Sequence, residues 1–396
     1  MHCNYPKPFF KKKLLLKPRS DVSWASWMVL NPAIIRDPQN EKVLHMLFRT
    51  CGPCPEKQLP GKLDPYPIYL AYAVSHNEGE DWKFDFSSPA LAPTLEYERT
   101  KVLNPDGSVR LFANGCVEDP RLFYFEEKLY LSVACRVFPP GPYWECDDPF
   151  MSVPLWGEKE NDACRAVRNN ITVSLLYSVS LGELASGNYE KAFVFICPLS
   201  SPDSSDNRDV FLFPRRLNVN GKQKIVCIHR PLEPRYFGML DKNPSIFFAV
   251  ADRFEDFSNG MAEQYFFAGP ELEWEENRVG ASWPPIELTP GEWLFPYHGK
   301  KDGITGYTQS FMLLKENADG TFPPEIISRP EERLLFADQP WELDGKFRTP
   351  CLFTCSGVVI SDDRLLCGYG AADTVLGLAE TSLSSLVEYL RHCAKK

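Results

Sequence analysis

Apolar runs in this chain come in ordered sets of three, and the set recurs five times. Each set begins at a proline leading into an apolar run: "LNPAII" at Pro32, "EDPRLF" at Pro120, "FLFPRRL" at Pro214, "WPPIEL" at Pro284 and "RTPCLF" at Pro350. A turn follows, then a second run that finishes in polar or small residues: "NEKVLHMLFR" to Arg49, "EEKLYLSVACR" to Arg136, "NGKQKIVCIHR" to Arg230, "GEWLFPYHG" to Gly299 and "DDRLLCGYGAAD" to Asp373. A third run closes each set, as in "IYLAYAVS" and "YTQSFMLLK". The prolines lie 88, 94, 70 and 66 residues apart, room in every set for a four-stranded antiparallel sheet with its loops. Short apolar runs bounded by turns predict strands. Such a sheet cannot bury both faces alone, so the repeat predicts radial packing about an axis: an all-β, five-bladed β-propeller. A pair of β-sandwiches would also supply short strands but leaves the fivefold order unexplained.

The pattern divides the chain into an N-terminal extension over 1–30, the propeller over 31–380 and a C-terminal helix over 381–396. In "TSLSSLVEYLRHCAKK", Thr381 or Ser382 can cap a helix whose Leu383, Leu386, Val387 and Leu390 share one face, suited to packing on the propeller. The N-terminal thirty residues and the loops at 51–67 and 138–166 read as insertions bordering a pocket or an oligomer interface.

Composition agrees with strands: among 396 residues, 35 prolines and 24 glycines favour turns, and 27 Phe, 16 Tyr and 9 Trp suit a pleated surface. A net charge of −10 argues against nucleic acid, whose phosphates require a basic surface. The N-terminal apolar run, Leu14 to Leu16, is far too short for a leader or a membrane span, so no membrane partner is expected. Thirteen cysteines is an odd number, and Cys135, Cys227, Cys355 and Cys367 sit in strand-like runs, where a thiol acts as a small hydrophobe. A reducing, cytoplasmic setting follows. "CGPC", Cys51 to Cys54, copies a redox dithiol, yet Pro55, Pro60 and Pro65 follow it where a redox motif would open a helix. No second CxxC or His pair stands at zinc-finger spacing, and no metal is expected.

In a propeller the ends of the inner strands line a central funnel. That explains why "NGCVEDPRLF" places Glu118, Asp119 and Arg121 at the start of an apolar strand: they face a polar cavity. Asn31, Asp209 and Thr349 neighbour the same landmark in other blades, and Arg49, Arg136, His229, Arg230, His298 and Asp373 come from the ends of the following strands. Carboxylates, guanidiniums, an amide and aromatics around one funnel suit a sugar, which needs directional hydrogen bonds and apolar ring faces. Glycoside cleavage also needs an acid for the leaving oxygen, and Glu118 and Asp119 are both placed to supply it. "EWEENRVG" (273–280) reads as an exposed charged turn in which Trp274 is the packed residue.

From Asn31 to Ala379 the chain resembles glycoside hydrolase family 130, the inverting β-mannoside phosphorylases and hydrolases, through "NPAII", "LFR", "GCVEDPRLF", "RDVFLFPRRLNVNGKQKIVCIHRP", "EWEENRVGASWPPI", "WLFPYHG" and "CGYGAADTVLGLAE". The resemblance implies a five-bladed propeller and makes Asp119 the general acid, protonating the glycosidic oxygen through a hydroxyl of the bound mannose. It gives Asn31, Arg49 and Asp373 to the mannose and His229, Arg208, Arg168 and Asn169 to phosphate; the reading of the funnel adds Glu118, Arg121 and His298 around the sugar and Arg230 as a further cation for phosphate. Arg208 stands where the family often has lysine, which keeps the charge and changes its geometry.

The implied reaction is reversible phosphorolysis of β-mannooligosaccharides to α-mannose 1-phosphate, with inorganic phosphate as co-substrate and no other cofactor. β-1,2-linked chains are the favoured substrate and β-1,4-linked ones the alternative. Hydrolysis stays open through Glu233 as a base for water, as do mannosyl transfer from activated sugars and, outside enzymes, a carbohydrate-binding propeller. Relatives are often oligomers, so a homo-oligomer is among the expectations.

Overall fold

The computed structural model describes residues 5–52, 68–93, 101–103, 109–112, 116–136, 172–200, 206–232, 243–259, 263–303, 305–343, 350–361 and 363–394. Five antiparallel sheets form the five blades of a propeller. The first blade is built from Met28–Arg36, Leu44–Cys51, Ile68–Ser75 and Lys83–Asp85, in order from the axis outward. The second uses Glu118–Phe125, Lys128–Arg136, Thr172–Val179 and Phe193–Pro198; the third, Asn207–Leu212, Lys222–Pro231, Ile246–Ala251 and Gln264–Ala268. The fourth uses Arg278–Ala281, Glu292–Lys301, Gly306–Lys315 and Glu325–Ser328. The inner strand Met28–Arg36 touches both Glu118–Phe125 and Leu352–Ile360, which brings the first, second and fifth blades together at the axis.

The fifth blade draws on both ends of the chain. Leu352–Ile360, Arg364–Ala371 and Val375–Ser382 come from the C-terminal part, and the outer strand is Lys11–Leu16, which pairs antiparallel with Val375–Ser382. Residues read from sequence as an extension therefore complete a blade, and the first blade begins at Met28 rather than at 31. The closing strand is pinned by a buried ion pair. Lys12 Nζ lies 2.9 Å from Glu342 Oε2 and 2.7 Å from Asp338 Oδ1, and it donates to Phe336 O at 2.5 Å. The Glu342 side chain is fully buried and also accepts from Tyr369 Oη at 2.7 Å.

Aromatic side chains pack within and between blades. Phe213 meets Phe248 and Trp293 edge-on at 5.4 and 5.3 Å, and Phe248 stacks on Phe267 at 4.2 Å, tying the third blade to the fourth. Cys135, Cys227, Cys355 and Cys367 are buried in their strands. Cys51 is buried too, while Cys54, the other half of the dithiol pattern, lies outside the described residues. The C-terminal helix is Leu383–His392; Ser382 Oγ caps it by accepting from Ser385 N at 3.1 Å, and Leu386, Val387, Tyr389 and Leu390 form its buried face. No helix among the described residues is long and apolar enough to cross a membrane.

Two sequence readings need correction. Proline does not head every inner strand: Pro32 and Pro120 lie within theirs, Pro214 and Pro284 follow theirs, and Pro350 precedes its own. In the first three blades the shared landmark is a backbone kink. Asn31, Asp119 and Asp209 have φ of 50°, 53° and 54°, and at each one the register to the second strand slips. Asn and Asp tolerate this left-handed region better than other residues with a Cβ, and a bulge there turns the side chain out of the pleat. The second correction concerns "EWEENRVG", where Glu275 is fully buried beside Trp274, its carboxylate 2.7 Å from Arg329 Nη2. The loops expected at 51–67 and 138–166 fall, apart from Cys51 and Gly52, outside the described residues.

Lys12→Met strands the Glu342 carboxylate and is expected to cost about 3 kcal/mol in urea unfolding. Lys13→Met on the exposed face of the same strand should change it by less than about 0.5 kcal/mol. Equal effects of the two would dismiss the pin.

Candidate active site

The kinks at Asn31, Asp119 and Asp209 aim three polar side chains at the axis, and two charge clusters form around them. In the first, Asn31 Nδ2 donates to Asp119 Oδ1 at 2.7 Å, while Arg49 Nη1 lies 2.9 Å from Glu118 Oε2 and 3.4 Å from Asp119 Oδ1. This separates the two adjacent acids. Glu118 is 2% exposed and locked to Arg49, whereas the Asp119 side chain keeps 20% of its surface open. Asp119 is the carboxyl able to meet a ligand. Asn31 Oδ1 is buried with no hydrogen-bond partner among the described residues, an acceptor available to a sugar hydroxyl. Gly370 makes room for it, since a Cβ there would fall 2.1 Å from that oxygen.

Asp373 closes this side from the turn after the second strand of the fifth blade, at φ 49°. Burial raises its pKa and the charge of Asp119 adds to the rise, while Arg49 and Lys300 oppose it. Asp373, Asp119 and Arg49 are thus within electrostatic reach of one another, as a shared sugar site requires. Cys351 Sγ lies 3.9 Å from Asp373 Oδ1.

The second cluster is centred on Asp209. Its Oδ2 accepts from Arg230 Nε at 2.6 Å and its Oδ1 from Arg121 Nη2 at 3.3 Å, with His298 Nε2 3.4 Å from Oδ2. Burial alone would raise this carboxyl's pKa, but Arg230, His298 and Arg121 hold it far below the usual carboxylate range. Arg121 also donates to Asp119 O at 2.7 Å and to Ser282 O at 3.1 Å, which ties the two clusters together. Arg121 and His298, expected at the sugar, are buried in this network, and His298 stands behind Asp209 with Nδ1 3.3 Å from Ser282 Oγ.

Arg208 and Arg230 face each other across the first two strands of the third blade. Such a like-charge pair is stable only with counter-charges: Asp206 Oδ1 is 3.5 Å from Arg208 Nε, and Asp209 holds Arg230. Arg230 Nη1 is buried with no partner among the described residues. His229 is fully buried, 3.3 Å through Nδ1 from Asn207 Oδ1, and burial lowers its pKa to about 3, so it is neutral at pH 7. Arg168, Asn169, Thr349 and Glu233 lie outside the described residues, and Arg136 ends its strand as expected.

Sequence reasoning placed Asp209 at the funnel without giving it a role and did not name Lys300 or Tyr307. Asp209 carries the second cluster, and its signal was repeat position, 90 residues after Asp119 as Asp119 is 88 after Asn31. Lys300, two residues past His298 on the same strand face, has its Nζ 5.5 Å from the Tyr307 ring centroid. Tyr307 lies within interaction range of both Arg208 and Arg230.

A glycoside hydrolase family 130 model, described as beta-1,4-mannooligosaccharide phosphorylase, matches residues 202–392. A 1,2-beta-oligomannan phosphorylase of Thermoanaerobacter sp. is 24% identical over 367 residues, spanning 93% of this chain and 94% of the relative. Over residues 202–392 the chain matches glycoside hydrolase family 130, and over nearly its whole length it is similar to a β-mannoside phosphorylase. A beta-1,4-mannooligosaccharide phosphorylase of Ruminococcus albus is 29% identical over 190 residues, 47% of this chain and 51% of that one. The solved structure of a β-1,2-mannobiose phosphorylase of Listeria innocua in complex with β-1,2-mannobiose shares the fold, with a TM-score of 0.58, 17% identity and coverage of 96% and 93% of the two chains. The two clusters described above occupy the axis of the propeller.

Two stability measurements check the electrostatics. Unfolded His229 takes up a proton below about pH 6.5 and the folded residue does not, so acid removes about 2 kcal/mol of wild-type stability between pH 7 and 5 through this residue. His229→Gln lacks that loss, and its stability should gain on wild type by that amount over the same interval. Asp373 has the opposite sign: a raised carboxyl costs stability as pH climbs from its unfolded value of about 3.8 through its folded one. Asp373→Asn should therefore melt higher than wild type near pH 7 while using mannosides less well, and a lower melting temperature would contradict the assignment.

Proposed function

We propose that the chain catalyses inverting, reversible phosphorolysis of β-mannooligosaccharides, with β-1,2-linked chains as substrate. The observation that carries the proposal is the split of the axial cavity: a partly open acid, Asp119, with Asn31 and Arg49 in one cluster, and Arg208 and Arg230 in the other with a desolvated donor unused. Mannose binds against Asn31, Arg49 and Asp373. Asp119 delivers a proton to the glycosidic oxygen through a hydroxyl of that mannose while the C1–O bond breaks. A phosphate oxygen, held by Arg208, Arg230 and a hydrogen bond from neutral His229, attacks C1 from the opposite face. The products are α-mannose 1-phosphate and the acceptor shortened by one residue, and the proton lost by hydrogen phosphate as it becomes the sugar phosphate restores Asp119 for the next turnover. Acid and nucleophile both being supplied, the reaction as written uses no metal or organic cofactor.

An inverting hydrolase would need an open second carboxylate across the ring to activate water. Among the described residues, Glu118 is ion-paired with Arg49, and Asp209 holds Arg121 and Arg230. Both are engaged by cations, which favours phosphate over water as nucleophile. The β-1,2 preference is supported by the Thermoanaerobacter oligomannan phosphorylase, which aligns over 94% of its length. A cytoplasmic location goes with this reading, because phosphate is a substrate and the buried thiols stay reduced there.

The test is product analysis on β-1,2- and β-1,4-mannotriose with and without phosphate. Phosphate-dependent release of α-mannose 1-phosphate from the β-1,2 substrate is expected; free mannose released without phosphate rejects the proposal. Asp119→Asn should lower kcat by roughly a thousandfold while the protein remains folded.

A further inference from the structure

The internal repeat puts Asp209 where Asp119 stands one blade earlier and Asn31 two blades earlier, each on a left-handed kink of an inner strand. On the reading above Asn31 and Asp119 meet a sugar. Asp209 meets only protein: Arg230 Nε at 2.6 Å, Arg121 Nη2 at 3.3 Å and His298 Nε2 at 3.4 Å, all in side chains no more than 5% exposed. The Arg230 guanidinium is thus fastened at Nε, while its Nη1 has no partner among the described residues.

We infer that Asp209 is a positioning residue for the phosphate nucleophile, fixing Arg230 so that Nη1 is presented beside Arg208. The inference rests on the phosphorolytic reading of the site. A guanidinium is a planar fork, so anchoring Nε sets the direction of its other donors in a way a point charge cannot reproduce. One carboxylate shared by two guanidiniums also leaves the group with a single positive charge, enough to draw an anion without forcing Arg121 and Arg230 apart.

The surroundings hold the carboxylate from its other sides. Ser282 Oγ donates to Gln309 Oε1 at 2.6 Å and stands 3.3 Å from His298 Nδ1, which sets the imidazole against Asp209. Gly280 supplies the remaining space: a Cβ there would lie 2.4 Å from Asp209 Oδ2 and 2.7 Å from Arg230 Nε. The sheet therefore packs bare backbone against this contact.

A core ion pair that only stabilised the fold would, on removal, lower the melting temperature and impair both substrates alike. Positioning predicts a selective defect. In Asp209→Asn, the KM for phosphate should rise roughly 10- to 100-fold, with the KM for β-mannooligosaccharide held within roughly twofold. Asp209→Glu keeps the charge balance, and so the fold, but shifts the carboxylate oxygens; it should show the same phosphate-selective defect to a smaller degree and decides the matter should the asparagine variant not fold. Phosphate and mannoside KM rising together, or a loss of stability with phosphate KM unchanged while wild type depends on phosphate, overturns the inference alone. A wild type whose cleavage ignores phosphate overturns the reaction reading and the inference with it.

Discussion

Charge buried on an axis constrains this molecule more than any other demand. The inner strands of a propeller converge, so any acid or base placed near their ends leaves bulk water and must find a partner there. The first three blades meet the demand in one way, with an Asn or Asp in left-handed backbone that slips the ladder and turns its side chain inward. The kink trades local backbone comfort for direction, and the conformation persists because the flanking residues of each strand remain paired in the sheet.

Satisfaction of these charges divides the cavity. Glu118 is neutralised by Arg49, and Asp209 by Arg121 and Arg230, so the acids that look alike in sequence differ in availability. Asp119 has its Oδ1 tied to Asn31 and Arg49 but keeps a partly open surface. Arg121 spans the two halves by donating to the Asp119 carbonyl and the Asp209 carboxylate. A shift around Asp209 thereby reaches the backbone of Asp119 through a single side chain.

Strand content and the fivefold order were legible because they depend on local periodicity and turns, which each segment carries within itself. The convergence of Asn31, Arg49, Asp119 and Asp373 was legible for a related reason: each lies beside a blade's proline landmark or close to a strand end, and in a propeller these positions face the axis. What escaped was decided by distant partners. Glu275 reads as a surface acid until Arg329 arrives from 54 residues away, and Lys11–Leu16 reads as a basic tail until Val375–Ser382 pairs with it. His298 looked like a ligand contact because its strand end is right, yet Asp209 from another blade stands in front of it. Proline was a good marker of each blade and a poor marker of position, since the kink needs only a residue that accepts positive φ, as Asp209 followed by Val210 shows.

The strand that closes the fifth blade has a consequence for biosynthesis. Lys11–Leu16 leaves the ribosome more than 350 residues ahead of its partner, Val375–Ser382. Throughout that wait its hydrogen-bonding edge stays unmatched, open to pairing with any other nascent strand. Three consecutive lysines at its head repel such self-association, and one of them, Lys12, becomes the anchor once the ring shuts. The same run of positive charge thus protects the segment while it is alone and, through Lys12, fastens it once the partner strand is made.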